Sequence, residues 1–196
     1  MTQTDQLLMD AFRQLLEEKP YKKITVRDIV DRCQVNRNTF YYHFEGIPAL
    51  LEQVMKTWAD DILADPRISE SPLLALLPMA EFCSAHRSAL LHLVQSKAKE
   101  EVLIFIDVIC LHVAEQHVKK AAQTAALSHP FTDLESSAMI RFYKAVLSGY
   151  LQDWINEDMC CDLSADIPRV ILRLKEFAFQ PSQQELTPIP KASGPV

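Results

Sequence analysis

Glycine is so scarce in this chain that a helical fold is the first expectation. Only three of the 196 residues are glycine, and 48% of the residues are hydrophobic. Long runs combine Leu, Ala, Ile and Val with Lys, Glu and Gln, and such runs favour packed helices over sheets. The composition therefore predicts an all-α protein, built either as one large helical domain or as a small domain fused to a larger one.

Three short helices are predicted at the N terminus, at about 5–18, 26–33 and 37–43. A residue that can cap the first turn precedes each helix. The expected caps are Thr4, Thr25 and Asn36. The second helix opens with a capping-box-like sequence in which Thr25 can accept the amide hydrogen of Asp28. This pattern predicts a compact three-helix unit.

Proline and glycine divide the rest of the chain. Gly46 is expected to take a left-handed conformation after the third helix, and Pro48 is suited to the first turn of the fourth. Six further helices are predicted at about 48–63, 72–84, 87–95, 98–124, 133–157 and 165–179, with a bend near Pro78, a loop at 128–132 and a cap at Ser164. The predicted organisation is a head of residues 1–46, a helical body of residues 47–179 and a disordered tail of residues 180–196.

Charge is unevenly distributed along the chain. The formal net charge is −6, but residues 19–44 hold six Lys and Arg against two Asp, a net charge of +4 before His43 is counted. The remainder of the chain therefore carries −10. A small basic face on an acidic body suits a protein that touches nucleic acid with one end and repels it with the rest.

Several other classes of protein are disfavoured. No apolar stretch reaches 18 residues and no leader segment is recognisable, so a cytoplasmic protein with no membrane partner is expected. The five cysteines show no CxxC spacing, and the histidines lack paired carboxylates, so neither a metal site nor a disulfide framework is predicted. No catalytic triad order, phosphate loop or paired acidic motif is recognisable, so neither an enzyme nor a cofactor is expected.

Residues 24–51, ITVRDIVDRCQVNRNTFYYHFEGIPALL, carry the most specific pattern in the chain. They combine a capped helix, a tight turn, a helix containing T-F-Y-Y-H-F and the start of another helix. This pattern resembles the DNA-binding signature of the TetR family of bacterial transcription regulators. The resemblance implies that the head is a helix-turn-helix DNA-binding domain and that the body binds a ligand and forms a dimer. Phe40 and Phe44, four positions apart, are assigned to the core of the head.

The exposed face of the third helix is the expected site of base recognition. A major groove admits one helix, and polar side chains on that helix can reach base edges. Arg37 can contact guanine, Asn38 can contact adenine, and Tyr41 can contact a thymine methyl group. The other candidates for the DNA-binding surface, which cap a helix or contact phosphates, are Thr25, Arg27, Asn36, Thr39, Tyr42 and His43. For Tyr42 and His43, packing within the protein is the alternative.

Two positions depart from the family pattern. The turn before the third helix reads Cys33-Gln34-Val35 where the family usually has Ala-Gly-Val, so Gln34 must take a strained left-handed conformation or the turn must differ. Many relatives have a lysine at the start of the fourth helix, whereas this chain has Ile47 and Pro48. One phosphate contact is therefore missing, and a lower non-specific affinity for DNA is expected.

The eighth predicted helix carries a broad apolar surface. TetR-like proteins dimerise through their last two long helices, so the resemblance implies a homodimer, with an ordinary core helix as the alternative. A glycine inside a helix costs up to about 1 kcal/mol relative to alanine, which favours close approach of another helix at Gly149. The segment SGYLQDWINED also resembles the C-terminal domain of the branch that includes the dihydroxyacetone-kinase-operon regulator. The predicted dimer interface comprises Met139, Phe142, Val146, Gly149, Tyr150 and Trp154.

A small-molecule effector is also implied by the resemblance. In this family such a ligand usually binds inside helices 5 to 8 and shifts the two heads relative to each other. The candidate lining is aromatic and apolar with several histidines, so a mostly apolar organic ligand is expected, although each residue can equally be ordinary core or surface. The candidates are Trp58, Phe82, His86, His92, Phe105, Ile109, His112 and Tyr143.

The sequence thus predicts a ligand-responsive repressor that binds an inverted-repeat operator on double-stranded DNA as a dimer. The alternative is a coregulator or coactivator of the same fold that acts through a protein partner. The missing lysine of the fourth helix and the resemblance to the dihydroxyacetone-kinase branch motivate that alternative.

Overall fold

The computed structural model describes residues 2–123 and 131–178. Within these ranges the chain forms nine α-helices and two 3-10 turns and no strand, which confirms the all-α class. The helices are α1 (Gln3–Glu18), α2 (Val26–Cys33), α3 (Arg37–His43), α4 (Ile47–Leu63), α5 (Leu76–Ala85), α6 (Arg87–Val94), α7 (Lys99–Gln123), α8 (Asp133–Asn156) and α9 (Leu163–Ala178). The 3-10 turns comprise Tyr21–Lys23 and Pro66–Ser69. The expected tail and most of the expected loop at 128–132 lie outside the described residues.

Local caps set the starts of α2 and α3 as predicted. The Thr25 hydroxyl oxygen accepts the Asp28 amide at 3.2 Å, and the Asp28 carboxylate accepts the Thr25 amide at 2.7 Å. The Asn36 side chain accepts the Thr39 amide at 2.8 Å. Phe40 and Phe44 are buried, as expected for the core of the head.

The cap of α1 was predicted at the wrong threonine. Thr2 rather than Thr4 accepts the Asp5 amide, at 3.1 Å, and the Asp5 carboxylate accepts the Thr2 amide at 2.6 Å. Thr2 has an acidic residue three positions later, so the capping box closes in both directions. Leu7 stands three positions after Thr4 and cannot return such a bond.

The two turns that flank α3 differ from each other. Gln34 is left-handed, with φ 55° and ψ 37°, so this turn keeps the family geometry at the cost of a strained non-glycine residue. Gly46 has φ 176° and is extended, which makes the expectation of a left-handed glycine wrong. Phe44 ends α3 in an extended conformation, and its amide bonds to the Phe40 carbonyl at 2.9 Å, so no left-handed residue is needed there.

Two helix starts in the body also differ from the sequence expectation. α5 begins at Leu76 rather than near residue 72 and is not broken at Pro78, because Pro78 lies in the first turn, where its missing amide hydrogen costs no helical bond. α9 begins at Leu163, and the Asp162 carboxylate rather than Ser164 accepts the Ala165 amide, at 3.3 Å. No helix in the described ranges is long and apolar enough to span a membrane.

Trp154 was wrongly assigned to the dimer interface. It is only 4% exposed, and its indole nitrogen donates to the Cys161 carbonyl at 3.0 Å within the same chain. Leu147, Leu151 and Trp154 follow helical spacing and share the buried side of α8. Trp154 is therefore a core residue of the protomer.

The head is attached to the body through α1. The Arg13 guanidinium donates to the Thr57 hydroxyl of α4 at 2.7 Å. Nearly one turn later in α1, the His92 ring of α6 bonds through Nδ1 to the Leu16 carbonyl at 2.6 Å. Contacts from α4 and α6 therefore fix α1 against the body.

Candidate DNA-binding interface

The third helix presents a polar face opposite its buried one. Phe40 is completely buried, whereas Arg37, Asn38, Tyr41 and Tyr42 are exposed, and Tyr42 is 86% exposed. All four exposed side chains therefore lie where a ligand as large as a DNA duplex can reach them.

Arg37 and Tyr41 form a pair on this face. They are one helical turn apart, and the Arg37 Nη2 atom lies 3.3 Å from the Tyr41 hydroxyl oxygen. The guanidinium carbon of Arg37 lies 5.7 Å from the centroid of the Tyr41 ring, within the range of a cation–π contact. Tyr41 therefore restricts the orientations of the arginine that the sequence predicts to contact guanine.

Several basic side chains near this face are paired within the head. Lys19 Nζ lies 2.9 Å from Asp28, and Arg32 makes a two-pronged contact with Glu18 at 2.6 and 2.7 Å. The hydrogen bond from Thr25, followed by that from Lys19, lowers the pKa of Asp28 to about 2. These ion pairs reduce the charge that is available to an external partner.

Other basic side chains remain available to a phosphate backbone. Arg27 lies 3.5 Å from Asp31, but both side chains are well exposed, so this ion pair is weak. Lys22 and Lys23, exposed in the turn before α2, have no carboxylate partner within the described ranges. Sequence reasoning counted these lysines in the basic patch but did not name them as site residues. Their position next to the start of α2 was the available signal.

The two threonines predicted as phosphate contacts use their hydroxyl groups inside the protein. The Thr25 hydroxyl donates to Asp28 at 2.6 Å, and the Thr39 hydroxyl donates to Asn36 at 3.1 Å. Together with Asn36 they define the first turns of α2 and α3. Their contribution to the interface is thus to place those helices.

His43 packs within the protein, which was the alternative to a phosphate contact. Its Nδ1 atom lies 2.7 Å from the Asp5 carboxylate, and its side chain is only 14% exposed. The backbone hydrogen bond from Thr2 is the main cause that holds the pKa of Asp5 below its usual value, and His43 acts in the same direction. The exposed face of α3 therefore ends at Tyr42, and His43 joins α3 to α1.

The eight effector candidates do not converge on one cavity. Trp58 is 1% exposed, and its ring stacks on His86 with centroids 5.3 Å apart. His92 is bound to α1, and His112 and Tyr143 line two different surface clefts. The remaining candidates line an apolar cavity of only about 20 Å³, and they are Phe82, Phe105 and Ile109. A prediction of one shared pocket is wrong for these residues, because they line different cavities or pack inside the protein.

The outer side of α8 is open in the protomer. Phe142 is 63% exposed, and a Cβ atom added at Gly149 would meet no atom within 4 Å. On α9, exposed Val170 and Leu174 continue the helical stripe of the buried residue Ile167. Sequence reasoning did not name these two residues, although their helical spacing was visible. Met139, Val146, Gly149 and Tyr150 are half-buried.

No group of three His, Cys, Asp or Glu side chains in the described ranges is placed to hold a metal ion.

A capped second helix, a tight turn and a third helix with an exposed polar face together define a helix-turn-helix DNA-binding protein. Residues 8–54 match the family described as "Bacterial regulatory proteins, tetR family". The match lies in the helix-turn-helix head, so this head is similar to that of TetR-family regulators.

The whole fold also has a solved counterpart. It is similar to that of "Dihydroxyacetone kinase operon activator DhaS", with a TM-score of 0.66 and 18% sequence identity. The similarity covers 89% of this chain and 97% of that chain. No curated protein matches the chain in sequence. The likeness to the solved structure thus concerns the fold.

Proposed function

We propose that this regulator binds an inverted-repeat operator as a homodimer, with one α3 helix of each protomer in the major groove. The Arg37–Tyr41 pair carries this proposal. It holds the Arg37 guanidinium, a hydrogen-bond donor that can contact guanine, on the exposed face of a capped helix. Asn38 lies on the same exposed part of α3 and contributes a second base contact. Residues 1–46 act as the DNA-binding head and residues 47–179 as the body.

Backbone contacts supply most of the affinity in this proposal. Arg27, Lys22 and Lys23 are exposed and contact phosphates, while Tyr42 lays its open ring against the sugar-phosphate backbone. No amide hydrogen is available at Pro48, and no lysine stands at the start of α4. The number of phosphate contacts is therefore small, and binding depends on both heads of the dimer.

The dimer forms through α8 and α9. Phe142, Val170 and Leu174 leave apolar area in solvent in the protomer, and a second copy removes it from water. Gly149 lies on the open part of α8 and lets the partner helix approach closely. The interface then consists of four helices, two from each protomer.

Regulation is proposed to be repression that a small-molecule effector relieves. Occupancy of an operator is sufficient for repression, so repression needs no further protein surface for a partner. The solved structure of similar fold is named an operon activator, which favours activation, alone or with a protein partner, as the second candidate. Expression of a reporter from the selected operator distinguishes the two, because loss of the regulator raises expression under repression and lowers it under activation.

Selection of binding sites from random DNA, followed by footprinting, tests the DNA-binding proposal with the purified protein alone. We expect two inverted half-sites whose centres are one helical turn of DNA, about 34 Å, or more apart. A salt titration on the same site should show a steep loss of affinity. A single asymmetric half-site with a flat salt response contradicts the symmetric dimer. Failure of the protein alone to select any site favours the partner-dependent candidate.

A further inference from the structure

An open cleft lies between the Pro66–Ser69 turn and the C-terminal half of α7. Its volume is about 370 Å³, within the range of small-molecule sites. The apolar cavity between the body helices, by contrast, has a volume of only about 20 Å³, far below the range of small-molecule sites. Of these two places, only the cleft holds a small organic molecule without movement of the core.

The cleft has an apolar floor and a cationic rim. Ile68 is buried and Leu63 is half-buried, so both offer hydrocarbon surface. His112 and Lys119 are exposed at the rim, and Lys120 also lines the cleft. No carboxylate lines it within the part of the chain that the structure describes. A neighbouring cleft that shares His117 and Lys120 is also lined by Glu70 and is less favourable for an anion.

The charge of the rim exceeds the opposing charge of the helix end. The carbonyl end of α7 contributes about half a negative charge. Lys119, exposed at the rim, carries a full positive charge, so the cleft keeps an excess of positive charge. The rest of the chain outside residues 19–44 is strongly acidic. A basic cleft on such a body is therefore a local feature rather than a consequence of overall charge.

Two hydrogen bonds fix the wall of the cleft. The His117 Nε2 atom lies 2.6 Å from the Ile68 carbonyl oxygen, and Lys120 Nζ donates to the Ser69 carbonyl at 3.0 Å. Since a carbonyl oxygen only accepts, Nε2 carries the hydrogen in the former bond. Burial lowers the pKa of His117, so the ring is neutral and its Nδ1 atom is an acceptor. Lys119 is exposed on the same wall.

We propose that this cleft binds a small organic anion, with the anionic group at Lys119 and the apolar part on Leu63 and Ile68. This proposed site depends on the ligand response proposed above, and it specifies the chemical class of that ligand.

The turn that forms the wall is also connected to the head. Arg67 contacts Asp65 at 2.7 Å and Glu81 of α5 at 2.6 Å, and His86, which follows α5, lies 3.5 Å from Glu17 of α1.

Thermal unfolding of the full chain tests the site with matched probes at constant ionic strength. Hexanoate and hexyl phosphate supply the two anionic groups, and hexanamide supplies the same apolar body without charge. At a concentration ten times Kd we expect one or both anions to raise Tm by about 3 °C or more, and hexanamide to leave it unchanged. The anion that gives the larger rise identifies the carboxylate or the phosphate class.

A pair of variants on α7 locates the effect. Lys119→Gln should abolish the rise in Tm, whereas Lys99→Gln, the same change at an exposed lysine that lines neither cleft, should retain it. A rise that is equal in the two variants, or no rise with either anion in the wild-type protein, overturns the proposed site. Operator affinity measured with and without the bound anion then separates the two proposals. Binding that leaves operator affinity unchanged keeps the site and refutes the ligand response.

Discussion

The Nδ1 atom of His43 lies 2.7 Å from the Asp5 carboxylate, so the last residue of α3 is bound to the first turn of α1. Asp5 also closes the capping box of α1 with Thr2. At its other end α1 is bound by His92 of α6 through the Leu16 carbonyl. The position of α3 relative to the body therefore depends on α1 at both ends.

The first prediction uses this pair to separate a positioning role of His43 from a direct phosphate contact. His43→Gln and Asp5→Asn should both weaken operator binding, by about 1 kcal/mol each, because each removes the charge-assisted bond that places α3. Fluorescence anisotropy with operator DNA measures the effect. If His43 contacts phosphate directly, Asp5→Asn instead strengthens binding, since it frees the imidazole and removes a negative charge. Thr2→Ala, which weakens only the cap, is the matched control.

The second prediction concerns base recognition by Arg37. Arg37→Ala should cost about 1 to 3 kcal/mol in operator affinity and relax preference at one base pair of each half-site. Its Tm should stay near the wild-type value, because the side chain is exposed and its recorded partner among the described residues is Tyr41. Tyr41→Phe should have a smaller effect in the same direction, since it removes the hydroxyl but keeps the ring.

Competition with single-base operator variants measures that preference. Lys99→Ala, which removes the same charge from the body, should leave base preference unchanged. An Arg37→Ala protein with wild-type affinity and preference would show that Arg37 does not read a base.

Features set by short stretches of sequence were predictable. The caps at Thr25 and Asn36 follow from residues within four positions of each other, and both are present in the structure. The left-handed Gln34 is one of the two alternatives that the comparison with the family turn left open. The start of α1 was missed by two residues for the same local reason, because Asp5 three positions after Thr2 was not weighed. Local rules therefore succeed when every local partner is considered.

Features that depend on distant packing were not predictable. α8 is apolar on more than one side, so its pattern does not reveal that Trp154 faces the core while Phe142 faces solvent. The partner of His43 lies near the start of the chain, and no periodicity connects the two positions. The effector candidates were chosen by chemical type, and the structure distributes them over different cavities. Each of these outcomes is decided by which helices meet.

The third prediction tests the dimer without disturbing the protomer. Gly149→Leu should convert the dimer to a monomer, because an added Cβ meets no atom within 4 Å in the protomer and the larger side chain then clashes with a partner helix. Phe142→Glu should act in the same way by placing a charge in an apolar contact. Light scattering at micromolar concentration measures mass, and circular dichroism checks helicity.

Two controls distinguish the interface from the core. Ser88→Leu, which adds the same side chain at an exposed position of α6, should remain dimeric. Trp154→Glu should lose helical structure rather than only its partner, because it buries a charge in the protomer. A Gly149→Leu protein that stays dimeric at every concentration would place the interface elsewhere.

The last prediction follows from the carboxylate that closes the cap of α2. Hydrogen bonds from Thr25 and then Lys19 lower the pKa of Asp28 from 3.8 to about 2. The folded state thus favours ionised Asp28, and its contribution to stability is present above about pH 4 and is lost as the pH falls toward 2. A shift of this size is worth at most about 2 kcal/mol, and solvent screening reduces it because the side chain is partly exposed.

Asp28→Asn should therefore lower the free energy of unfolding at pH 6 and flatten its dependence on pH between 4 and 2, as measured by urea unfolding at each pH. Asp31→Asn changes the same charge on the same helix outside the cap and should follow the wild-type profile, whereas identical profiles for Asp28→Asn and the wild type would show that the cap does not stabilise the head through this carboxylate.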